Sequence, residues 1–308
     1  MGRTTKYSRK TVAGFEVHSL ASAEASVSMV PELGGRIVSL RDRTSGREWL
    51  DGWTPACKRR IGHPTDPENF ASGPGAGVDE CLPTVLPCRH GRIQLPDHGE
   101  LWKMRAGFDE NLAAKGILVT RYQLRTLPLA YERRISLRGR EVLLAYRLEN
   151  LAFTPTPFLW AWHPLFTWKR GDEIRFTRSI KSCLAADGRR LSWPEHETGC
   201  DLSRASFPNG SVPAAKVFIG PMAVGRAEIR SATGARLVLK WPAGLFPYAG
   251  IWITRGFWKG LHHWAIEPTN FPADRLSDIR KPSPQTRLEA NEIREWNMVV
   301  RTFPSANP

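Results

Sequence analysis

The chain has 308 residues, of which 41% are hydrophobic, and its formal net charge is +14. This length and apolar content suit one large domain with a single core, so the length does not by itself require two domains. The basic residues form neither a helical stripe nor a block interleaved with aromatic residues. That distribution argues against a nucleic-acid partner and leaves an anionic small molecule open.

The five cysteines are odd in number and include no Cys-x-x-Cys pair. This pattern suggests neither a zinc site nor a disulfide framework, and it fits reduced thiols in a cytoplasmic protein. No apolar run approaches the length that crosses a membrane, so we expect no membrane partner. The amino terminus is basic, but Glu16, His18 and Glu24 interrupt the segment that follows, which therefore lacks the apolar core of a secretory signal.

In chain order, residues 1–10 come first, and we expect them to form a flexible tail, with residues 11–308 forming one domain. The stretch EASVSMVPELGGRIVSLRD has apolar residues at alternate positions on both sides of Gly34-Gly35. Alternation of this kind is the period of a half-buried strand, so the stretch predicts two strands separated by the glycine pair.

Residues 52–78 differ from their surroundings because they are rich in Pro, Gly and polar residues. A long irregular loop inside a compact domain is usually functional or disordered, and we expect this one at one mouth of the fold. It carries Arg59 and Arg60, which together with Arg255 are candidate clamps for an anionic ligand, since guanidinium groups bind anions in bidentate fashion.

Two later stretches predict hairpins, and a third predicts the closing strand. In SLRGREVLLAYRLEN the apolar residues recur at every second position from Val142 to Leu148, after a glycine turn. AEIRSATGARLVLKW repeats this arrangement, and WNMVVRTF is apolar and β-branched. With 26 glycines and 24 prolines spread along the chain, these signals predict an all-β fold, a large antiparallel β-sandwich of two packed sheets.

Three motifs place a proton-transfer residue at the end of a β-run. They are LPDHGELW with His98, FLWAWHPLF with His163, and WAIEPTNFPADRL with Glu267. Each of these residues is followed by Gly or Pro, which ends a strand and presents the side chain at the rim of the sheet. A single motif of this kind is more often a structural feature than a catalytic one.

Strand alternation assigns directions to the neighbouring side chains. If the chain stays extended after His98, then Glu100 and Trp102 lie on the same face as that histidine. We therefore expect Trp102 to stack on a ligand. The same rule directs Trp162, next to His163, towards the core.

Together these motifs resemble the galactose mutarotase (aldose 1-epimerase) superfamily. VPELGGRIVSLRD resembles the opening strand pair of that family, DHGELW and WHPLF its two histidine motifs, IEPTNFPADRL its glutamate motif, and LEANEIREWNMVV its final strand. VDECLPTV resembles a segment of a mutarotase-like subgroup. The matches follow the order of the family from about Val30 to Val300. The resemblance implies a β-sandwich with a carbohydrate cleft on one concave face.

The resemblance also implies roles for three residues. Glu267 corresponds to the general base of the family, His163 to its general acid, and His98 to a residue that binds and polarises a sugar oxygen. Mutarotation needs a base at the C1 hydroxyl and an acid at the ring oxygen. The ring then opens and recloses on the other face of the aldehyde. A glutamate with a pKa of about 4.3 is ionised at neutral pH, and a histidine of about 6.5 can be held protonated by nearby acids.

We expect Asp79, Glu80, Asp97 and Glu100 to supply that negative field from the cleft, with Asp79, Glu80 and Glu100 also binding the substrate. The implied partner is a monosaccharide, neutral or anionic. No cofactor or metal is implied, because the sequence contains no phosphate loop, no His-Glu-x-x-His and no Gly-x-Ser-x-Gly.

Two family features are not found in the sequence, an arginine before the first histidine motif and an aspartate between the second histidine and the glutamate. Both bind the substrate, so the sugar stays undetermined. One alternative is a non-catalytic carbohydrate-binding or regulatory protein on the same sandwich, which needs aromatic residues but no matched acid and base. Another is an enzyme of different chemistry, such as an epimerase-like lyase. Convergence of His98, His163 and Glu267 on one pocket would favour the isomerase.

Overall fold

A computed structural model of the chain describes residues 5–51, 70, 75–177, 180–195, 200–204, 214–258 and 260–305. In chain order its strands are β1 (Lys6–Val12), β2 (Phe15–Ala21), β3 (Ala25–Val30), β4 (Arg36–Asp42), β5 (Val78–Cys81), β6 (Cys88–His90), β7 (Ile93–Leu95), β8 (Gly107–Phe108), β9 (Ile117–Gln123), β10 (Leu129–Arg138), β11 (Glu141–Asn150), β12 (Thr156–Pro157), β13 (Ala161–Pro164), β14 (Phe166–Thr167), β15 (Glu173–Phe176), β16 (Ser182–Ala185), β17 (Arg190–Ser192), β18 (Ala214–Ile219), β19 (Gly225–Arg230), β20 (Arg236–Trp241), β21 (Tyr248–Arg255), β22 (His262–Thr269), β23 (Arg287–Leu288) and β24 (Ile293–Phe303).

Helical structure among the described residues is confined to short segments. The described residues contain one α-helix, α1 (Glu110–Ala114), and single-turn 3-10 helices at Pro31–Leu33, Leu101–Lys103 and Leu276–Asp278. Asp109 caps α1 by accepting a hydrogen bond from the backbone N–H of Leu112. None of the described helices has the length and apolar character needed to cross a membrane.

Two large antiparallel sheets contain most of the strands. The larger sheet has the order β1-β2-β3-β4-β5-β13-β22-β21-β18-β16-β17, with β14 also paired to β22. The smaller sheet has the order β15-β19-β20-β24-β11-β10-β9-β8. The predicted all-β sandwich is therefore confirmed, and the central strands of the larger sheet are β13, β22 and β21.

The predicted strands in both sheets are present. Gly34 and Gly35 separate β3 from β4 with φ angles of 66° and 61°, values that glycine adopts without strain. A Cβ atom at Gly35 would lie 2.3 Å from the Tyr122 hydroxyl, so this glycine is also required by close packing. The two predicted hairpins are β10–β11 and β19–β20, and the closing strand is β24.

An aromatic cluster fills the space between the two sheets. Trp160, which follows β12 and precedes β13, donates from Nε1 to the Tyr131 hydroxyl on β10 at 3.0 Å. The rings of Tyr146 and Trp296 stack at 5.2 Å, and Phe246 lies 4.5 Å from Trp160. Aromatic pairs of this geometry contribute roughly 0.5–1.5 kcal/mol beyond the area they bury. They pack strands β10, β11 and β24 of the smaller sheet against the segments that carry Trp160 and Phe246.

A buried ion pair also connects the two sheets. Arg133 on β10 donates to Glu80 on β5 at 2.8 Å, and the Tyr146 hydroxyl donates to the other oxygen of Glu80 at 3.1 Å. Burial raises the pKa of Glu80, and the Arg133 charge opposes this effect. The expectation that Glu80 lines a ligand cleft is therefore wrong, because its carboxylate points into the core.

The amino-terminal segment differs from its prediction. Strand β1 begins at Lys6 and pairs with β2 along its whole length, from Lys6 opposite Ala21 to Val12 opposite Phe15. A turn at Ala13 and Gly14, both at positive φ, makes this hairpin possible. A flexible tail over residues 1–10 is thus wrong from Lys6 onward, and the exposed, charged β1 has the character of an edge strand.

Most of the loop predicted over residues 52–78 lies outside the described residues, as do Arg59 and Arg60. Strand β5 begins at Val78, which marks the end of this loop. Four of the cysteines, Cys81, Cys88, Cys183 and Cys200, are described, and all four are buried.

Candidate active site

The strand order of the larger sheet brings three distant chain segments together. Strand β13 lies between β5 and β22, and β21 and β18 follow on the other side of β22. Ala161 on β13 is opposite Thr269 on β22, and Gly250 on β21 is opposite Glu267. Because side chains alternate along a strand, this register places His163 and Glu267 on the same face of the sheet.

A cavity of about 340 Å³ lies over this face. Its volume is within the range of roughly 300–1,000 Å³ that is typical of small-molecule pockets. The polar side chains that line it among the described residues are His98, His163, Lys216 and Asp274. Glu267 lies beneath them with 1% of its side chain exposed.

Two atoms of the paired residues lack hydrogen-bond partners among the described residues. His163 Nε2 lies 3.7 Å from Glu267 Oε1, which is longer than a hydrogen bond. Glu267 Oε1 and His163 Nδ1 are both buried without a partner. Catalytic hydrogen bonds are often long in a ligand-free site and tighten when substrate binds. The 3.7 Å gap is therefore compatible with a substrate oxygen that contacts both residues.

Lys216 on β18 is one residue of the site that sequence reasoning missed. Its ammonium group donates to Glu267 Oε2 and lies 3.5 Å from Asp274 Oδ1. The glutamate oxygen that Lys216 leaves unoccupied is Oε1, which faces His163. A lone lysine in the strand sequence AAKVFI gave no signal, because such a residue normally points to solvent.

The pKa values of the site follow from burial and from this lysine. Burial raises the pKa of Glu267, and the charge and hydrogen bond of Lys216 oppose that rise. Burial lowers the pKa of Lys216, but the Asp274 and Glu267 carboxylates more than compensate and raise it to about 12. Lys216 is therefore charged at neutral pH.

The pKa of His163 is shifted in the opposite direction from the one we expected. Burial holds its pKa well below 6.5, and electrostatic coupling to His98, Lys216 and His263 lowers it further. The expectation that acids in the cleft keep His163 protonated is therefore wrong. The imidazole of the free protein is neutral at pH 7.

His98 reaches the site from a tight turn. It has φ 56° and is followed by Gly99 at φ 68°, so the chain turns here and does not continue as a strand. The His98 backbone N–H donates to the Val85 carbonyl at 2.5 Å. The rings of His98 and His163 meet edge to face with centroids 5.1 Å apart. The two predicted histidines are therefore neighbours.

Asp97 orients His98. Its Oδ1 lies 2.8 Å from His98 Nδ1, and its Oδ2 accepts a hydrogen bond from the Phe70 backbone N–H at 3.1 Å. Burial alone would raise the pKa of Asp97, but the interactions with His98 lower it below its usual value. Nδ1 of His98 is thus occupied, which leaves Nε2 as the ring nitrogen available to a ligand.

The turn at His98 makes two predictions about its neighbours wrong. Trp102 lies in the 3-10 helix that follows, donates from Nε1 to the Asp97 carbonyl at 2.8 Å, and does not line the cavity. Glu100 accepts hydrogen bonds from the backbone N–H groups of Arg125 at 2.7 Å and Thr126 at 3.0 Å. Both residues support the fold of this segment, and neither contacts the cavity.

Asp79 also has a structural partner. It lies opposite His163 in the β5–β13 pair, as a cleft residue would. Its Oδ1, however, accepts from Arg36 Nε at 2.9 Å and from Nη2 at 2.8 Å, in an ion pair whose side chains are 2% and 3% exposed. A buried ion pair is costly to break, so the expectation that Asp79 binds a ligand is wrong.

Aromatic side chains form much of the cavity wall. Phe70 stacks on His98 with centroids 3.6 Å apart and planes inclined by 8°. Trp252 and Trp258 lie edge to face at 6.1 Å and also line the cavity. Sequence reasoning selected none of these three. Arg255, a candidate anion clamp, ends β21 and is not among the cavity-lining residues that the structure describes.

His263 packs against Trp252, one of the two tryptophans that line the cavity. As alternation predicts, it lies on the same face as Glu267, and it is fully buried. Its Nδ1 lies 3.0 Å from Asp51 Oδ2, and its ring is 5.0 Å from Trp252. Across the part of the chain that the structure describes, no group of three or more His, Cys, Asp and Glu side chains is arranged to hold a metal ion.

Solved structures of other proteins have the same architecture. A galactose mutarotase-like protein from Lactobacillus casei aligns with a TM-score of 0.67 at 13% identity, over 97% of this chain and 100% of its own. One from Clostridium acetobutylicum has a TM-score of 0.63 at 15% identity, over 98% of each chain. An Escherichia coli K12 protein provisionally described as an aldose 1-epimerase has a TM-score of 0.68 at 14% identity, over 97% of this chain and 99% of its own.

Comparison of the sequence with family models and with curated proteins gives no match. The likeness to solved structures extends over nearly the whole chain, and at 13–15% identity it establishes the fold. The same fold can host different functions, and the residues of the site decide which one this chain has.

Proposed function

Since the chain has the galactose mutarotase-like fold, we propose that it is an aldose 1-epimerase-like isomerase that interconverts the anomers of a monosaccharide. The observation that carries this proposal is the convergence of His98, His163 and Glu267 on one cavity. A carboxylate and an imidazole 3.7 Å apart suit a reaction that moves protons at two oxygens of the same sugar.

In the proposed reaction, Glu267 Oε1 accepts the proton of the C1 hydroxyl. The C1–O1 bond becomes a carbonyl as the bond between C1 and the ring oxygen breaks, and His163 gives a proton to that ring oxygen. Rotation about the C1–C2 bond exposes the other face of the aldehyde. The two proton transfers then reverse, so the net reaction consumes no proton and no cofactor.

The low pKa of His163 has a consequence for the rate. Only a small fraction of the free protein carries the imidazolium at neutral pH, which lowers the rate of protonation. A low-pKa acid is also a stronger proton donor when it is protonated, and this offsets part of the loss. His98, oriented by Asp97, is proposed to bind and polarise a sugar oxygen from its Nε2.

The cavity wall supports a sugar ligand. Phe70, Trp252 and Trp258 offer flat apolar surfaces, and sugar-sized ligands are bound by such surfaces together with a few polar groups. Whether the sugar is neutral or anionic is left to the assay. The single domain and the cytoplasmic location stay predictions.

A carbohydrate-binding protein without catalysis is the second candidate. The neutral His163 favours it, because a binder needs no protonated acid. Two-dimensional exchange NMR on a panel of neutral and anionic aldoses separates the two functions. We expect the wild-type protein to accelerate anomer exchange of at least one aldose. Binding of a sugar without any acceleration across the panel would establish the binder instead.

A further inference from the structure

The ammonium group of Lys216 lies between two carboxylates under the cavity, in contact with Glu267 and 3.5 Å from Asp274. We propose that Lys216 is a positioning residue that keeps Glu267 ionised and turns its Oε1 towards the substrate. This inference rests on the proposed function, since it concerns the base of that reaction. It adds a residue from β18 to the candidate site.

The backbone around Lys216 is arranged for this contact. Lys216 is opposite Trp252 in the β18–β21 pair, and Gly250 is opposite Glu267 in the β21–β22 pair. The lysine must therefore cross β21 above Gly250 to reach the glutamate. A Cβ atom at Gly250 would lie 3.1 Å from Glu267 Oε2 and 3.2 Å from Lys216 Nζ. The missing side chain of this glycine leaves the space that the ion pair occupies.

The ion pair fixes which glutamate oxygen faces the ligand. Lys216 engages Oε2, whereas Oε1 is buried without a hydrogen-bond partner among the described residues and lies nearest to His163. A carboxylate held by one oxygen has lost much of its rotational freedom. The other oxygen is therefore presented to the substrate in one orientation, as a proton acceptor requires.

The charges around Glu267 identify Lys216 as the group that keeps it ionised. The titratable groups that face Glu267 are Lys216 from β18, His163 from β13, Cys81 from β5, Asp274 from the segment after β22, and His98 from its turn. Burial and Asp274 favour the protonated carboxyl, and His163 is neutral. Of the two groups that favour the carboxylate, Lys216 and His98, Lys216 has the larger effect and is in direct contact with Glu267. An opposite charge at this range typically lowers the pKa of a carboxyl by about 1–3 units.

Lys216 is also connected to the turn that carries His98. Its second partner, Asp274, accepts backbone hydrogen bonds from Val85 at 2.9 Å and Leu86 at 2.6 Å through its carbonyl oxygen. The Val85 carbonyl in turn accepts from the His98 backbone N–H. A single series of contacts therefore links the base, the lysine and the first histidine.

The test is a direct titration of Glu267 by NMR with carboxyl-labelled glutamate, assigned by the loss of one signal in Glu267→Gln. In Lys216→Met we expect the apparent pKa of Glu267 to rise by about 1–3 units. Lys216→Arg should keep the charge and hold the pKa near the wild-type value. Lys240→Met, which removes an exposed lysine of β20, is the matched control and should change nothing.

An unchanged Glu267 pKa in folded Lys216→Met would overturn the proposal. If that variant does not fold, the same comparison is made with Lys216→Gln, which keeps a polar side chain without charge. The titration needs no enzymatic turnover, so it is independent of the proposed function. Anomer exchange with an unshifted pKa would refute the role of Lys216 alone, whereas a shifted pKa without anomer exchange would refute the isomerase alone.

Discussion

His163 Nε2 lies 3.7 Å from Glu267 Oε1, and neither atom reaches a full hydrogen bond with the other. The two residues come from adjacent strands, β13 and β22; His163 lines the cavity, and Glu267 lies beneath it on the same face of the sheet. An acid and a base at this separation can contact two oxygens of one small ligand. Glu267 Oε2 is engaged by Lys216, so Oε1 is the carboxylate oxygen that is open to such a ligand.

The low pKa of His163 predicts a pH dependence of stability. In the unfolded chain its pKa is about 6.5, and in the folded protein it is well below that value. Above pH 6.5 the imidazole is neutral in both states, so its burial does not reduce stability. As the pH falls below 6.5, the histidine of the unfolded chain binds a proton that the buried imidazole of the folded protein does not bind, and the free energy of unfolding falls. The loss is about 1.4 kcal/mol at pH 5.5.

Urea unfolding at pH 7.5 and pH 5.5 measures this effect. Wild type should lose more free energy of unfolding between the two pH values than His163→Gln does, by roughly 1 kcal/mol. His90→Gln, on the small β6–β7 hairpin, is the control and should behave as wild type. Equal losses in wild type and His163→Gln would mean that this histidine is not buried in its neutral form.

Glu100 is predicted to matter for stability and not for catalysis. Its carboxylate accepts hydrogen bonds from the Arg125 and Thr126 backbones and from the Thr126 hydroxyl. In Glu100→Gln the amide nitrogen cannot accept a hydrogen bond, so the free energy of unfolding should fall by about 1–3 kcal/mol. Urea unfolding checks this, with the exposed Glu110→Gln as the control. A normal stability with reduced anomer exchange would instead place Glu100 in the site.

Gly99 is predicted to hold the turn that presents His98. It has φ 68°, and a Cβ atom there would lie 2.1 Å from the Leu82 carbonyl oxygen. Gly116 has φ 84° with nothing within 4 Å, so Gly116→Ala carries the backbone strain without the clash. We expect Gly116→Ala to cost about 1–3 kcal/mol and Gly99→Ala clearly more.

Thermal unfolding compares the two glycine variants, and chemical shifts of the His98 ring report on its position. Gly99→Ala should move the His98 resonances, and Gly116→Ala should leave them in place. Equal stability of the two variants would show that the turn can shift away from Leu82 at little cost.

Trp258 is predicted to contact the sugar. It lines the cavity, whereas the preceding residue, Phe257, is 72% exposed and does not. Loss of one aromatic contact of roughly 1 kcal/mol would weaken sugar binding about fivefold in Trp258→Ala. Phe257→Ala is the control and should bind normally. Calorimetric titration with an accepted sugar measures both, and equal affinities would remove Trp258 from the binding surface.

The strands could be predicted because alternation is a local signal, and His98, His163 and Glu267 could be selected because the motifs around them resemble those of a known family. The predicted position at a strand end is wrong for Glu267, since β22 continues through Pro268 to Thr269 and the side chain is buried. Trp102 could not be placed in this way, because alternation holds only while the chain is extended, and the left-handed conformation of His98 ends the extended segment.

The remaining errors concern partners that are distant in sequence. Asp79, Glu80 and Glu100 have the residue type of ligand-binding acids, but their partners come from β4, β10 and the segment after β9. Lys216 has the residue type of a surface position, and its direction depends on Gly250 in the neighbouring strand. The register between strands decides such contacts, and local patterns in a single sequence do not reveal that register.

The anomer-exchange rate of an accepted sugar, measured by exchange NMR with wild type and with Glu267→Gln, tests the central claim most directly. The proposed mechanism predicts that the glutamine variant binds the sugar with similar affinity and loses about a hundredfold to ten-thousandfold in rate, as expected for removal of a general base. Glu110→Gln should retain the full rate. A glutamine variant that exchanges anomers as fast as wild type would contradict the assignment of Glu267 as the base.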